Sequence, residues 1–177
     1  AFTLNTGLSS ISGTGSAVSW TPLGASGAAL ADGVYIFSFT QTDSAANVQS
    51  TASTLTVTVD TTAPTSTTVS LTSTDSGTSG DRVTNVAPVL GVTAESGATV
   101  AVTATKDGSA FTLNTGLSSI SGTGSAVSWT PLGASGAALA DGVYLFSFTA
   151  TDVAGNSGNA GTLTVTVDTT APTRSEE

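Results

Sequence analysis

The side chains of this chain that could do chemistry are its carboxylates. The sequence contains 12 acidic residues, 3 basic residues, and no Cys, His or Met. Ser-His-Asp and Cys-His triads, and nearly all zinc sites, need a residue type that is absent here. Paired carboxylates could hydrolyse a glycoside if they flanked a pocket, but these acids are scattered over turns. Since Lys106 is the only lysine, amine catalysis has a single candidate. The inventory predicts that the chain is not an enzyme and favours the binding of a hard cation.

The elements that must position the acids occur in two copies. Residues 2–35 and 111–144 are identical, and the match continues for a few residues with one change, Ile36 against Leu145. The following segment has drifted, and "VDTTAPT" then closes both copies at 59–65 and 167–173. A self-match of this kind predicts a tandem array of structural repeats.

The repeat period gives the expected domain boundaries. Pro64 and Pro172 lie 108 residues apart, so the chain is expected to hold one complete repeat preceded by the back part of another. The predicted segments are the C-terminal portion of a repeat with its first strands missing (1–60), a short Pro-containing linker (61–65), a complete repeat (66–168) and the start of the next linker (169–177).

The complete repeat alternates apolar and polar residues in seven short runs. Such runs, rich in β-branched residues and bounded by Gly-rich turns, favour strands. Two antiparallel sheets would bury the apolar faces against each other. The pattern therefore predicts an all-β fold, an immunoglobulin-like seven-strand antiparallel β-sandwich repeated in tandem. The predicted strands cover residues 66–72, 87–94, 98–105, 110–114, 126–131, 142–151 and 161–167.

Two aromatic residues have predicted roles within these strands. Tyr144 follows a corner at the start of the sixth strand, a position where such sandwiches often place a tyrosine corner. Trp129 shares a strand face with Val127, so alternation favours a place in the core. The alternative is that Trp20 or Trp129 is exposed and stacks on a sugar. A tight hairpin is expected at residues 106–109.

The first copy carries counterparts of only the last four strands. Its apolar faces are therefore expected to lack a partner sheet from this chain, and an unpaired half-sandwich should not persist alone. Preceding sequence, another molecule or strand exchange in a fibre is expected to complete it.

The acidic residues between positions 32 and 168 fall in predicted turns or linkers near the junctions between repeats. Crowded carboxylates repel each other, and Ca²⁺ would relieve this because it takes about six to eight oxygen ligands. The sequence therefore predicts Ca²⁺ as a structural cofactor at the inter-repeat junctions. One end of the complete repeat is expected to present Asp75, Asp81, Asp107, Asp141 and Asp168, and the other Glu95, Asp152 and Asn156, together with Asp60 and Asp32.

Turn formation is the competing explanation, because Asp and Asn accept hydrogen bonds from their own turn backbone. We favour it for Asp107 and Asp141, which precede Gly, and favour calcium for Asp60, Asp152 and Asp168. Proline at position 64 restricts the backbone of the linker, which is expected to be short and stiff.

Charge and hydropathy exclude two classes of partner. The formal net charge of −9 makes binding to a nucleic-acid backbone unexpected, because that affinity rests on Lys and Arg. No apolar run approaches the roughly 18 to 20 residues of a membrane span.

Four segments resemble the bacterial immunoglobulin-like repeats of giant surface adhesins and biofilm-associated (Bap-like, RTX-type) proteins. They read "VDTTAPT", "DSGTSGDRVTN", "PVLGVTAESGATVAV" and "ADGVYLFSFTATDVAGN". The resemblance implies an extracellular rod on the bacterial cell surface in which calcium stiffens the joints. It places the acidic positions of the family on Asp60, Asp75, Asp81, Asp152 and Asp168. The first copy departs from the pattern at residues 42–49, where "AAN" replaces "AGN", which argues against a ligand role for Asp43 and Asn47.

The leading hypothesis is a structural extender repeat of a surface adhesin that projects an adhesive region for attachment or biofilm formation. Its expected partners are neighbouring repeats or strand-completing copies. Near-identical copies suit a spacer better than a binding tip. The alternatives are a carbohydrate-binding or accessory module of a large secreted enzyme and a subunit that exchanges strands to form a fibre.

Overall fold

The computed structural model describes residue 4, residues 10–114, residue 116 and residues 118–173. The chain divides into two compact units, unit 1 up to Thr62 and unit 2 from Ala63. The strands of both units are formed from short segments of alternating polarity. No α-helix occurs in the described residues, and no helix there could span a membrane.

Unit 2 is built from two sheets. The larger sheet contains β4 (Val83–Thr84), β6 (Thr99–Lys106), β7 (Ser109–Phe111), β8 (Ser119–Ser121), β10 (Gly142–Thr151) and β11 (Gly161–Val167), and the smaller contains β3 (Thr68–Leu71), β5 (Leu90–Thr93) and β9 (Ala126–Trp129). In the larger sheet the strand order is β4-β11-β10-β6-β7, and β8 also pairs with β6. The smaller sheet has the order β3-β5-β9.

All seven predicted strands of the repeat are present, with ends that differ by a few residues. Two further strands, β4 and β8, were not predicted because runs of two and three residues carry no readable alternation. The pairing is antiparallel except between β4 and β11, which run parallel. The predicted all-β sandwich is therefore confirmed, with two additional short strands and one parallel pair.

The core of unit 2 lies between the two sheets. Along β10, the inward residues Tyr144, Phe146, Phe148 and Ala150 are fully buried. The residues between them face outward and are partly or fully exposed. Trp129 on β9 is 5% exposed and packs edge-on against two of these phenylalanines, at centroid distances of 5.7 and 5.6 Å. Burial of each such aromatic side chain stabilises the fold by roughly 2 to 3 kcal/mol.

Two predicted local features are observed at one end of unit 2. The Tyr144 hydroxyl donates a hydrogen bond to the Ala140 carbonyl at 2.8 Å, which forms the tyrosine corner. Asp107 and Gly108 both have positive φ, 50° and 80°, as the tight hairpin between β6 and β7 requires. The Asp107 carboxylate also accepts a hydrogen bond from the Val143 amide at 2.9 Å, which ties the hairpin to β10.

Unit 1 contains a two-stranded antiparallel sheet of β1 (Gly33–Phe39) and β2 (Ser53–Val59). No further strand pairs with it in the described part of the chain. Leu55 is 53% exposed, whereas its counterpart Leu163 in unit 2 is 4% exposed. Two of the four strands expected in this copy form, whereas residues 17–20 form no strand because no segment pairs with them. The counterpart of residues 110–114 lies largely outside the described residues. That the first strands of this copy are missing, and what completes it, stay predictions.

Candidate functional site

The most regular polar feature of the molecule lies where each copy passes into the "DTTAPT" linker. In unit 2, antiparallel pairing sets Gly142 at the start of β10 opposite Val167 at the end of β11. The residue before β10, Asp141, therefore meets the residues that follow β11. The placement of this site is a direct consequence of strand register.

Asp141 accepts three hydrogen bonds from two consecutive threonines. Its Oδ1 accepts from the backbone N–H of Thr169 at 2.9 Å and from the Thr169 hydroxyl at 2.7 Å. Its Oδ2 accepts from the Thr170 hydroxyl at 2.6 Å. We call this arrangement the linker clamp, since it fixes the chain as it leaves the sandwich.

The clamp stabilises the ionised form of the carboxylate. Hydrogen bonds from the Thr170 hydroxyl, the Thr169 hydroxyl and the Thr169 backbone lower the pKa of Asp141 to about 2, and Lys106 contributes a smaller attraction. Donors aimed at a carboxylate favour its charged state, so protonation of Asp141 weakens the clamp.

Unit 1 carries the same clamp. Asp32 accepts from the Thr61 backbone N–H at 2.9 Å, the Thr61 hydroxyl at 2.7 Å and the Thr62 hydroxyl at 2.6 Å. The Thr62 hydroxyl is the largest cause of a lowered pKa for Asp32. The clamp is therefore a property of the repeat and is present with or without the covering sheet.

The linker aspartates fold back on the same threonines. Asp60 accepts a hydrogen bond from the Thr62 backbone N–H at 3.0 Å, and Asp168 accepts one from the Thr170 backbone N–H at 3.1 Å. The Asp168 backbone N–H in turn donates to the carbonyl of Thr84, the last residue of β4, at 3.0 Å. Asp60 and Asp168 therefore each take part in a local turn.

Asp152 and Asn156 lie in the loop between β10 and β11, at the opposite end of unit 2. Asn156 donates to Asp152 through its side-chain Nδ2 and its backbone N–H, both at 2.9 Å. The side-chain bond is the largest cause of a lowered pKa for Asp152. Asp43 and Asn47 form the same pair of bonds in unit 1, at 2.8 and 2.9 Å. The loop with "AAN" therefore folds like the loop with "AGN".

The remaining predicted ligands lie on two loops of unit 2, Asp75 and Asp81 between β3 and β4 and Glu95 between β5 and β6. Asp75 accepts from the Gly80 amide at 2.7 Å through Oδ2, while its Oδ1 is buried without a hydrogen-bond partner. Asp81 accepts from the Val83 amide at 2.9 Å. Glu95 is exposed at the far end, between β5 and β6.

Among the described residues, no three acidic side chains come together in a group that could hold a metal ion. The described hydrogen bonds to these aspartates come from backbone, threonine or asparagine donors, some adjacent in sequence and some about 30 residues away. The calcium ligands proposed from the sequence therefore stay predictions.

The sequence pattern missed the threonine partners of the clamp. Asp141 and Thr169 are 28 positions apart, and nothing local links them. A signal was nevertheless present, because "ADGVY" and "DTT" recur together in both copies. The functional residues that the sequence did not single out are Thr61, Thr62, Thr169 and Thr170.

The tryptophans do not form an open platform. Trp129 is buried in the core, and Trp20 is half-buried and packs edge-on against Phe37 and Phe39 at 5.2 and 5.7 Å. Trp129 therefore has no exposed face on which a sugar could stack, and Trp20 is only partly exposed. The core prediction for Trp129 is confirmed.

The comparison with protein families agrees with this architecture. No curated protein matches the chain, whereas the model of a bacterial Ig-like domain matches residues 62–169. That segment includes the nine strands of unit 2 and the clamp up to Thr169. Ig-like domains of this kind are generally non-catalytic structural modules, typically of surface or extracellular proteins. Because the match spans more than half of the chain and agrees with the predicted immunoglobulin-like sandwich, the chain belongs to the bacterial Ig-like domain family.

Proposed function

We propose that this chain is an extender segment of a bacterial cell-surface adhesin, whose repeats form a stiff rod that projects an adhesive region for attachment or biofilm formation. The observation that carries the proposal is the linker clamp, which occurs with the same donors and nearly the same distances at the end of both copies. A spacer needs every joint to be fixed in the same way, whereas an isolated binding domain does not.

The clamp supports stiffness because it removes rotational freedom from the linker. Thr61 and Thr62 are held by Asp32. Two residues later, Pro64 has a fixed φ and is buried within unit 2. Ala63, which lies between them, precedes a proline and is therefore restricted to extended conformations. Few rotatable bonds are left to bend the joint.

The finer part of the proposal is that Ca²⁺ stiffens the array further. Its support is the buried Oδ1 of Asp75, which lacks a hydrogen-bond partner and lies in a loop that also carries Asp81. An uncompensated buried carboxylate oxygen is costly unless a donor or a cation meets it. When bound, the ion would offset the negative charge of these carboxylates, and the loop residues would hold it in place.

Small-angle X-ray scattering of two tandem copies of residues 63–170 tests both parts. We expect a long maximum dimension that shortens when Thr169→Val and Thr170→Val are introduced into the first copy, because the linker then bends. The matched control is Thr164→Val, an exposed position on β11. An unchanged maximum dimension in the clamp variant would reject the clamp as the source of stiffness.

A chelator titration of the unmodified tandem protein separates the calcium proposal from the extender proposal. We expect removal of Ca²⁺ to shorten the particle and lower its melting temperature. If neither changes while the clamp variant still bends, the rod is stiffened by the clamp without calcium.

A further inference from the structure

The loop that joins the last two strands folds in the same way in both units but differs in sequence. We call it the closing loop, residues 40–53 in unit 1 and 149–161 in unit 2, which includes the last residues of β10 and the first residues of β2 and β11. In unit 1 the Gln49 amide donates to the Gln41 carbonyl at 2.8 Å, and in unit 2 the Gly158 amide donates to the Ala150 carbonyl at 2.9 Å. Gln49 therefore occupies the backbone position of Gly158, and Gln41 that of Ala150.

The strand register identifies a third pair of equivalent positions. Phe39 pairs with Ser53 in unit 1, and Phe148 pairs with Gly161 in unit 2. Ser53 thus occupies the position of Gly161. At three equivalent positions, unit 1 has a larger side chain than unit 2.

In unit 2 the two glycines lie against the backbone of the segment that enters the sandwich. A Cβ on Gly161 would overlap the carbonyl oxygen of Thr67, and a Cβ on Gly158 would overlap the carbonyl oxygen of Pro64. The contacts are with main-chain atoms, which cannot rotate away as the end of a flexible side chain can. Both positions therefore need glycine when the chain enters by the Pro64–Thr67 path.

The third position lies in the core. Ala150 is fully buried and pairs with Val100 on β6. A glutamine there, as at position 41 of unit 1, would place an amide in apolar surroundings without an assured partner, which is unfavourable.

We propose that the closing loop determines which first-half segment each sheet accepts. The loop of unit 2 admits residues 63–110 of its own repeat, and the loop of unit 1 rejects them through Gln41, Gln49 and Ser53. The strands themselves cannot discriminate, because β1 and β10 match except at Ile36 and Leu145 over their shared length, and both of these side chains are exposed.

This selectivity of the closing loop would prevent strands of one repeat from pairing with the wrong sheet. Near-identical neighbours can exchange strands and misassemble during folding. Here the first half of unit 2 follows directly after a sheet that carries almost the same pairing edge. Steric rejection by the closing loop of unit 1 leaves β10 and β11 as the matching partners.

The first test uses the full chain, isotope-labelled, and an unlabelled peptide of residues 63–110. Binding is followed by NMR through the β1 amides and the Trp20 indole. We expect the variant Gln41→Ala/Gln49→Gly/Ser53→Gly to bind the peptide at least about tenfold more tightly than the unaltered chain. The control variant Ser44→Gly/Ser50→Gly/Thr51→Gly changes exposed loop residues to glycine and should bind like the unaltered chain. Equal binding by all three chains, whether tight or absent, would overturn the proposal.

The second test is the reciprocal change in unit 2 of the full chain. We expect Gly161→Ser to lower the melting temperature reported by the NMR signal of the Trp129 indole by at least about 4 °C, because the new side chain displaces the Thr67 backbone. Ala160→Ser places the same side chain at the neighbouring exposed residue, where a Cβ is already present, and should leave the transition unchanged. Equal melting of these two variants would also overturn the proposal.

Discussion

The linker clamp of unit 2 is expected to set the pKa of the Asp141 carboxylate, and removal of its hydroxyl donors tests this. We consider the double substitution Thr169→Val/Thr170→Val, which keeps the side-chain shape and removes both hydroxyls. Asp141 then loses its bonds of 2.7 and 2.6 Å and retains the Thr169 backbone bond of 2.9 Å. The fold is expected to persist, because both threonines are exposed and follow the last strand.

The magnitude follows from the causes of the pKa shift. The Thr170 and Thr169 hydroxyls are the two largest causes that lower the pKa of Asp141 to about 2 from its ordinary value of 3.8. Their loss is expected to return the pKa most of the way to 3.8. A carboxyl with a lowered pKa in the folded state stabilises that state above pH 3.8, and the contribution is lost as pH falls toward 2. Stability of the variant should therefore depend less on pH across this interval.

Carbon-detected NMR titration of the aspartate carboxyls measures the pKa directly, and unfolding by denaturant at several acidic pH values measures the linked stability. Thr164→Val, on the exposed side of β11, is the control and should leave Asp141 unchanged. A pKa for Asp141 that stays near 2 in the double variant would refute the assignment of the clamp to these hydroxyls.

Two further predictions concern equivalent and strained positions. Leu163→Ala should destabilise unit 2 by about 2 to 5 kcal/mol in denaturant unfolding, because it opens a cavity in the core. Leu55→Ala, at the equivalent but 53% exposed position, should cost less than about 1 kcal/mol. Similar losses of stability in the two variants would contradict the described burial. Ala46 has a φ of 65°, which is unfavourable for a residue with a Cβ. Ala46→Gly should therefore stabilise the closing loop by about 0.5 to 1 kcal/mol and slow hydrogen exchange at the hydrogen-bonded amides of Asn47 and Gln49. Unchanged or faster exchange would show that no strain is relieved.

The sandwich itself was readable in the sequence because alternation reports burial directly. Tyr144, Phe146 and Phe148 alternate with outward residues along β10, and all three are fully buried. The short strand β4 was not readable, since its two residues are defined only by the neighbouring β11 that they pair with.

The candidate site was only partly predictable. The sequence located the acids in turns and at both ends of the sandwich, because Asp has few other places in a strand-rich repeat. It did not reveal that Asp141 binds Thr169 and Thr170, since that contact depends on the register of β10 against β11. The clustering of acids that motivated calcium binding depends on three-dimensional distances that a linear pattern does not contain.

The sequence by itself determined the repeat, the strand faces and the positions of the turns, because these depend on local residue order. Tertiary structure decided whether a strand forms at all. The letters "AVSW" occur at 17–20 and 126–129, and they form β9 in unit 2, where β5 pairs with them, but no strand in unit 1. A backbone segment becomes a strand only when another segment satisfies its N–H and C=O groups, so identical residues take different structures according to the partner that the fold supplies.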